Sequence, residues 1–145
     1  MKIFSPNFKD QEKLPIKYTC DGQGVLPELS WQDYPPETKS FVLVVEDPDA
    51  PAGIFVHLLA INIPVSVIKL AEGATEVPQA QMVPNTSGRT NYIPACPPSG
   101  THRYIFKVFA LNIDKIQGVN TTNYLSIIKP HVIDQAEITT YYQRL

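Results

Sequence analysis

Fourteen prolines in 145 residues, with few long amphipathic stretches between them, argue against a helix bundle, because each proline removes a backbone donor and fixes φ. What lies between them reads as strands joined by irregular loops. Ser40-Phe-Val-Leu-Val-Val-Glu46 is a continuous β-branched and aromatic run of strand length, which suits a strand covered on both faces. It stops at Asp47-Pro-Asp-Ala-Pro51, where two prolines end the ladder and leave the Asp47 and Asp49 carboxylates at the strand's C-terminal end. A second such run, Phe55 to Ile63, is ended by Pro64 and carries His57 near its start; a third extends from Arg103 to Leu111. The expected fold class is mainly β.

Shorter elements fill in around these three. Ile16 to Cys20 reads as a strand ending in the turn Asp21-Gly22-Gln23-Gly24, and Leu29 to Trp31 as another. Pro64 to Thr101 is rich in Gly, Pro, Asn and Ser, with little periodicity, and reads as a long loop holding one or two short strands. Thr121 or Thr122 is placed to cap a short helix through Lys129, stopped by Pro130. Glu137 to Gln143, rich in β-branched and aromatic residues, should return as a strand. With 43% hydrophobic residues the chain has enough for a full core, and one domain over 1–145 is expected.

Composition excludes several function classes. A formal charge of −2, with twelve Lys and Arg scattered along the chain, offers no basic stripe for nucleic acid. Met1-Lys-Ile-Phe-Ser-Pro has no apolar stretch of signal-peptide length and no run approaches a membrane span, so the expectation is a cytoplasmic protein without a transmembrane segment. In a reducing cytosol Cys20 and Cys96 are expected as free thiols, a pair linking the N-terminal region to the Pro-rich loop being the alternative. His57, His102 and His131 show no His-x-x-x-His pattern and neither cysteine has a second sulfur at finger-like spacing, so no metal and no cofactor is expected.

The richest local signal is Pro94-Ala-Cys-Pro-Pro-Ser-Gly-Thr-His102-Arg103-Tyr104. Residues two apart on a strand share a face, so His102 and Tyr104 should point together and Arg103 away. Each candidate has a plain structural reading too. His57 on an apolar strand is ordinarily a core histidine satisfied by a backbone carbonyl, and Asp47 and Asp49 before and after proline are ordinary turn formers.

Taken together, Glu46-Asp47-Pro-Asp-Ala-Pro51, then Val56-His57 opening a strand that closes Asn62-Ile-Pro64, then Cys96-Pro-Pro-Ser-Gly-Thr-His-Arg-Tyr104 closely resemble the phosphatidylethanolamine-binding protein (PEBP) family. Tyr18-Thr-Cys-Asp-Gly22, Leu29-Ser-Trp31 and Thr38-Lys-Ser-Phe41 are similar to its bacterial and archaeal branch. The resemblance implies a large central antiparallel sheet packed with a smaller sheet and one or two short peripheral helices. It implies a small anion pocket lined by Asp47, His57, His102 and Tyr104, with Asp49, Cys96, Pro97, Pro98 and Arg103 structural or at the rim. Val56 and Leu58 flank His57 where relatives carry aromatic residues, which implies a less aromatic wall. Pro94-Ala95 stands where relatives have Gly-Pro.

Imidazole and phenol groups are donors suited to phosphate or a phosphoethanolamine-like head group. Three jobs are open to Asp47 beside an anion: fixing a histidine tautomer, raising that imidazole's proton affinity, or accepting from a ligand ammonium. Anion affinity should rise as pH falls through the histidine range. The resemblance implies a non-catalytic binding or regulatory protein, an inhibitor of a kinase or serine protease, and a homodimer as its assembly. The alternative is a hydrolase or phosphoryl-handling enzyme using the same His, Asp and Tyr side chains, with Cys96 as its best nucleophile. No nucleophile elbow or P-loop supports that alternative.

Overall fold

A computed structural model describes all 145 residues. In chain order its strands are β1 (Lys2–Phe4), β2 (Leu29–Gln32), β3 (Ser40–Asp47), β4 (Phe55–Ile63), β5 (Lys69–Leu70), β6 (Gln81–Val83), β7 (His102–Leu111) and β8 (Val132–Tyr142), with one short helix, α1 (Tyr124–Ile128). Antiparallel pairing builds a five-stranded sheet, β6-β4-β3-β7-β8, and a three-stranded sheet, β1-β2-β5. The fold is mainly β, two antiparallel sheets with a single short helix.

Every residue of β3 is buried, which is why its sequence shows no alternation. Odd-numbered Phe41, Leu43 and Val45 join Leu29 and Trp31 in the core under the small sheet. Even-numbered Val42 and Val44 pack on the reverse face with Tyr124 and Ile128 of α1. The same parity carries past the last apolar residue. Glu46 turns to the helix side, where it accepts from Lys107 Nζ at 2.5 Å and Tyr124 OH at 2.5 Å. Asp47 turns to the small-sheet side.

The β4 strand does not keep parity with β3. Val45 opposes Leu58 and Glu46 opposes Val56, so His57 is an extra residue in the ladder, a β-bulge. A second irregularity falls where Phe41 opposes Ile63 and Leu43 opposes Ala60; Asn62 there adopts φ 55° and its side chain clamps the backbone N–H and C=O of Ile116.

Several expectations need correction. Residues Ile16–Tyr18 form a 3₁₀ turn, not a strand: Pro15 fixes the entry, and Thr19 closes the turn by donating from both N–H and Oγ1 to Ile16 O. The turn before α1 is held by Asn120, whose Oδ1 accepts from the N–H groups of Thr122 and Asn123, and not by Thr121 or Thr122. The β8 strand begins at Val132, earlier than Glu137, because β7 offers a full-length partner that recruits the polar Asp134 and Gln135 into the ladder. The short strand β1 carried no sequence signal.

The free-thiol expectation is also overturned. Cys20 and Cys96 form a disulfide with Cα atoms 5.4 Å apart, and no free cysteine remains. Their 76-residue separation hid a proximity that parallel pairing of Thr19 with Ala95 creates. No helix is long and apolar enough to cross a membrane.

Candidate functional site

The ends of β3, β4 and β7 meet at one edge of the large sheet, on the small-sheet side, around a cavity of about 230 Å³. Asp47, His57, His102 and Tyr104 all line it and all are buried. The β7 strand supplies two of them by simple alternation, His102 and Tyr104 facing inward and Arg103 outward. The bulge in β4 supplies His57. Without the extra residue His57 would follow strict alternation from Leu58 and face the helix side; with it, both lie on the pocket side.

Each imidazole is held by Nδ1. His102 Nδ1 donates to Asp47 Oδ2 at 2.7 Å, and His57 Nδ1 donates to the Ile93 carbonyl at 2.6 Å. Carboxylate and carbonyl only accept, so both Nδ1 atoms carry hydrogen and each Nε2 is a lone pair when its ring is neutral, a donor only when the ring is protonated. Neither Nε2 has a protein partner, and neither is sealed from solvent. Burial pushes the His57 imidazole below its ordinary value, opposed by the Ile93 carbonyl and the Asp47 charge. Tyr104 lies between the histidines, its ring centroid 5.4 Å from that of His57 and 6.4 Å from that of His102. Burial, then the Asp47 carboxylate, holds its phenol far above the ordinary range, so it stays protonated and able to donate.

Asp47 fills both roles weighed for it, because Oδ1 accepts from the Asp49 N–H at 2.8 Å and shapes the turn while Oδ2 holds His102. Asp49 and Arg103 sit at the rim as an exposed pair. The guanidinium donates to both Asp49 oxygens, at 3.0 and 2.8 Å, and pulls that carboxyl down to about 2. Cys96 and Pro98 line the cavity; Pro97 is buried beside it without lining it.

Three contributors escaped sequence reasoning. Phe55 adds an aromatic ring to the wall that Val56 and Leu58 led one to expect to be less aromatic, its ring centroid 4.8 Å from His57; its signal was its position two before the histidine on an opening strand. Ile93 gives the carbonyl that fixes His57. Asn85 donates to the carbonyls of His57 and Asn91, stitching the bulge to the long loop. Pro94 packs on Gly24, whose φ of +71° and lack of a Cβ both matter, since an added Cβ would meet Pro94 Cγ at 2.7 Å.

A larger cleft of about 450 Å³ runs along Lys13, Tyr141 and Arg144, but it is open polar surface without converging groups. No three His, Cys, Asp or Glu side chains gather as metal ligands.

The family profile described as Phosphatidylethanolamine-binding protein matches residues 4–143. The chain belongs to the PEBP family. Among curated relatives, the UPF0098 protein of Aquifex aeolicus is 39% identical over 152 residues, covering 99% of this chain and 89% of the relative. The UPF0098 protein YbhB of Escherichia coli is 39% identical over 128 residues, 80% of this chain and 81% of its own. A crystal structure of a PEBP homologue from Chlamydia trachomatis superposes with TM-score 0.89 at 37% identity, covering 99% of this chain and 97% of that one. E. coli YbcL, described as a new member of the mammalian PEBP family, gives TM-score 0.90 at 31% identity, with 99% and 98% covered. The PEBP fold is thus this chain's fold.

Proposed function

We propose that this PEBP-family protein binds a small anion, phosphate or a phosphoethanolamine-like head group, between His57 and His102, and acts as a non-catalytic binding or regulatory protein. One observation carries the reading: two imidazoles pinned through Nδ1 leave both Nε2 atoms without protein partners in one cavity, beside a phenol that stays protonated. Each Nε2 becomes a donor only by taking up a proton, so anion binding and proton uptake are coupled. A kinase or serine protease as the regulated partner, a cytoplasmic site of action and a homodimeric assembly belong to the same proposal, and rest on family membership alone.

The test is isothermal titration with sulfate, which keeps its two charges across the range. Affinity should rise on going from pH 8 to 6.5, by up to about tenfold per pH unit for each proton taken up on binding. A flat profile, or unchanged affinity in His57→Ala and His102→Ala, overturns the reading.

One observation favours catalysis as a second reading. The buried Asp47–His102 pair orients an imidazole as general bases are oriented. It lacks a nucleophile, because the disulfide removes Cys96 from that role. Turnover of phosphate or carboxylic esters that is lost in both histidine variants would establish it.

A further inference from the structure

We infer that the pocket selects phosphate monoesters by the apolar part of their alcohol and is indifferent to an amine on it; this rests on the anion reading above. An ammonium group needs an acceptor, and the side-chain oxygens of Asp47 and Asp49 and the carbonyls of Ile93 and His57 each already serve a protein donor, with which it would compete. Asp47 Oδ1 accepts from the Asp49 N–H and Oδ2 from His102, while both Asp49 oxygens face the Arg103 guanidinium and backbone at the rim. The Ile93 carbonyl takes His57 Nδ1, and the His57 carbonyl takes the N–H of Ile93 and the amide of Asn85. The remaining wall is Ala50, Pro51, Phe55, Ile93, Pro94 and Pro98, with one face of the disulfide. None of those side chains carries a hydrogen-bonding group.

A short alkyl or aryl group leaving the phosphate therefore gains contact with Phe55 and the prolines, whereas an aminoethyl group either competes with protein donors for oxygens they already hold or keeps its ammonium in solvent. Of the three jobs open to Asp47, fixing the tautomer of His102 is the one its geometry performs. The ligand class that follows is a small phosphate monoester of a neutral, apolar alcohol.

The experiment compares inorganic phosphate, ethyl phosphate and O-phosphoethanolamine by calorimetry at pH 7.5, where each ester carries close to two phosphate charges. Ethyl phosphate should bind about threefold or more tighter than inorganic phosphate, and O-phosphoethanolamine no tighter than ethyl phosphate. Any preference for the amine ester beyond error overturns the inference while leaving the anion site standing; failure of all three to bind overturns both. In Asp47→Asn, which keeps the side chain's size, the ratio of the two ester affinities should stay within twofold of the native ratio. A selective loss of O-phosphoethanolamine binding in that variant would show that Asp47 receives the amine, against the inference.

Discussion

The two pocket histidines reach the same cavity by opposite routes. On β7, His102 arrives by regular alternation and is held by a side chain, the Asp47 carboxylate, from the adjacent strand β3. On β4, His57 arrives by a break in alternation and is held by a backbone carbonyl from a loop. A charged partner raises the stakes of the first arrangement, since removing either member strands the other. A carbonyl partner lowers them, but ties His57 to whatever positions residues 85–96. The difference teaches that sheet geometry sets one half of the site and loop geometry the other.

The largest test separates the two holders. His102→Ala should destabilise the fold by about 3–5 kcal/mol, because it leaves the buried Asp47 carboxylate without its partner. His57→Ala loses a hydrogen bond to a carbonyl and some packing, and should cost about 1–2 kcal/mol. Urea unfolding of both, with the double variant Asp47→Ala/His102→Ala, decides the matter. The double variant should be more stable than His102→Ala; equal stability would show that the carboxylate tolerates its solitude.

Next comes the loop that holds His57. Replacing both cysteines by serine should lower stability by about 2–4 kcal/mol, roughly 10 °C in Tm for a chain of this size, since the bond closes a long loop. The sharper prediction is local. Reduction should shift the NMR signals of His57, whose Ile93 anchor lies three residues from Cys96, and leave those of His102 nearly still. Equal shifts at both rings would erase the distinction between loop-held and sheet-held histidines. The disulfide also conditions the cytoplasmic expectation, because such bonds persist in oxidising surroundings and both cysteines are exposed to reductant.

Legibility followed the same division. The three central strands were readable from their apolar runs, two of which, β3 and β4, end at prolines, and the bounds of β4 came out as Phe55–Ile63. The shared face of His102 and Tyr104 followed from alternation on β7, and Asp47 from the Asp-Pro stop of β3. The inward turn of His57 did not, because a bulge is decided by pairing with β3 and by the Asn85 and Ile93 clamps, 28 and 36 residues away. The order of motifs placed His57 in the site where periodicity would have turned it outward. Cys20 with Cys96 failed for a related reason: proximity across 76 residues is a property of the assembled fold, and the redox prior pointed the other way.

A smaller effect tests protonation of the loop-held ring. Burial holds the folded-state value of His57 below its ordinary 6.5, opposed by the Ile93 carbonyl and Asp47. The unfolded chain therefore binds the proton more readily, so this residue's contribution to stability is complete above pH 6.5 and is lost as pH falls through the folded value. Anion affinity moves the other way over the same interval. His57→Gln, whose amide donates at any pH, should lower the proton uptake measured on sulfate binding, and should remove part of the acid loss of stability. If the native and Gln proteins share one pH profile, His57 is not the proton acceptor.

The smallest effect belongs at the rim, where sheet and loop histidines alike should be indifferent. Arg103 lies between His102 and Tyr104 but faces outward, and its pair with Asp49 is solvent-exposed. Exposed pairs contribute little because water screens them and two long side chains must be ordered. Arg103→Ala should change Tm by no more than about 2 °C and sulfate affinity by less than about threefold, a small loss that salt should abolish. A loss rivalling that of His102→Ala would mean that the guanidinium reaches the anion directly. Parity on β7 would then no longer divide pocket from surface, and the sheet-held half of the site would extend to the residue that alternation turns away.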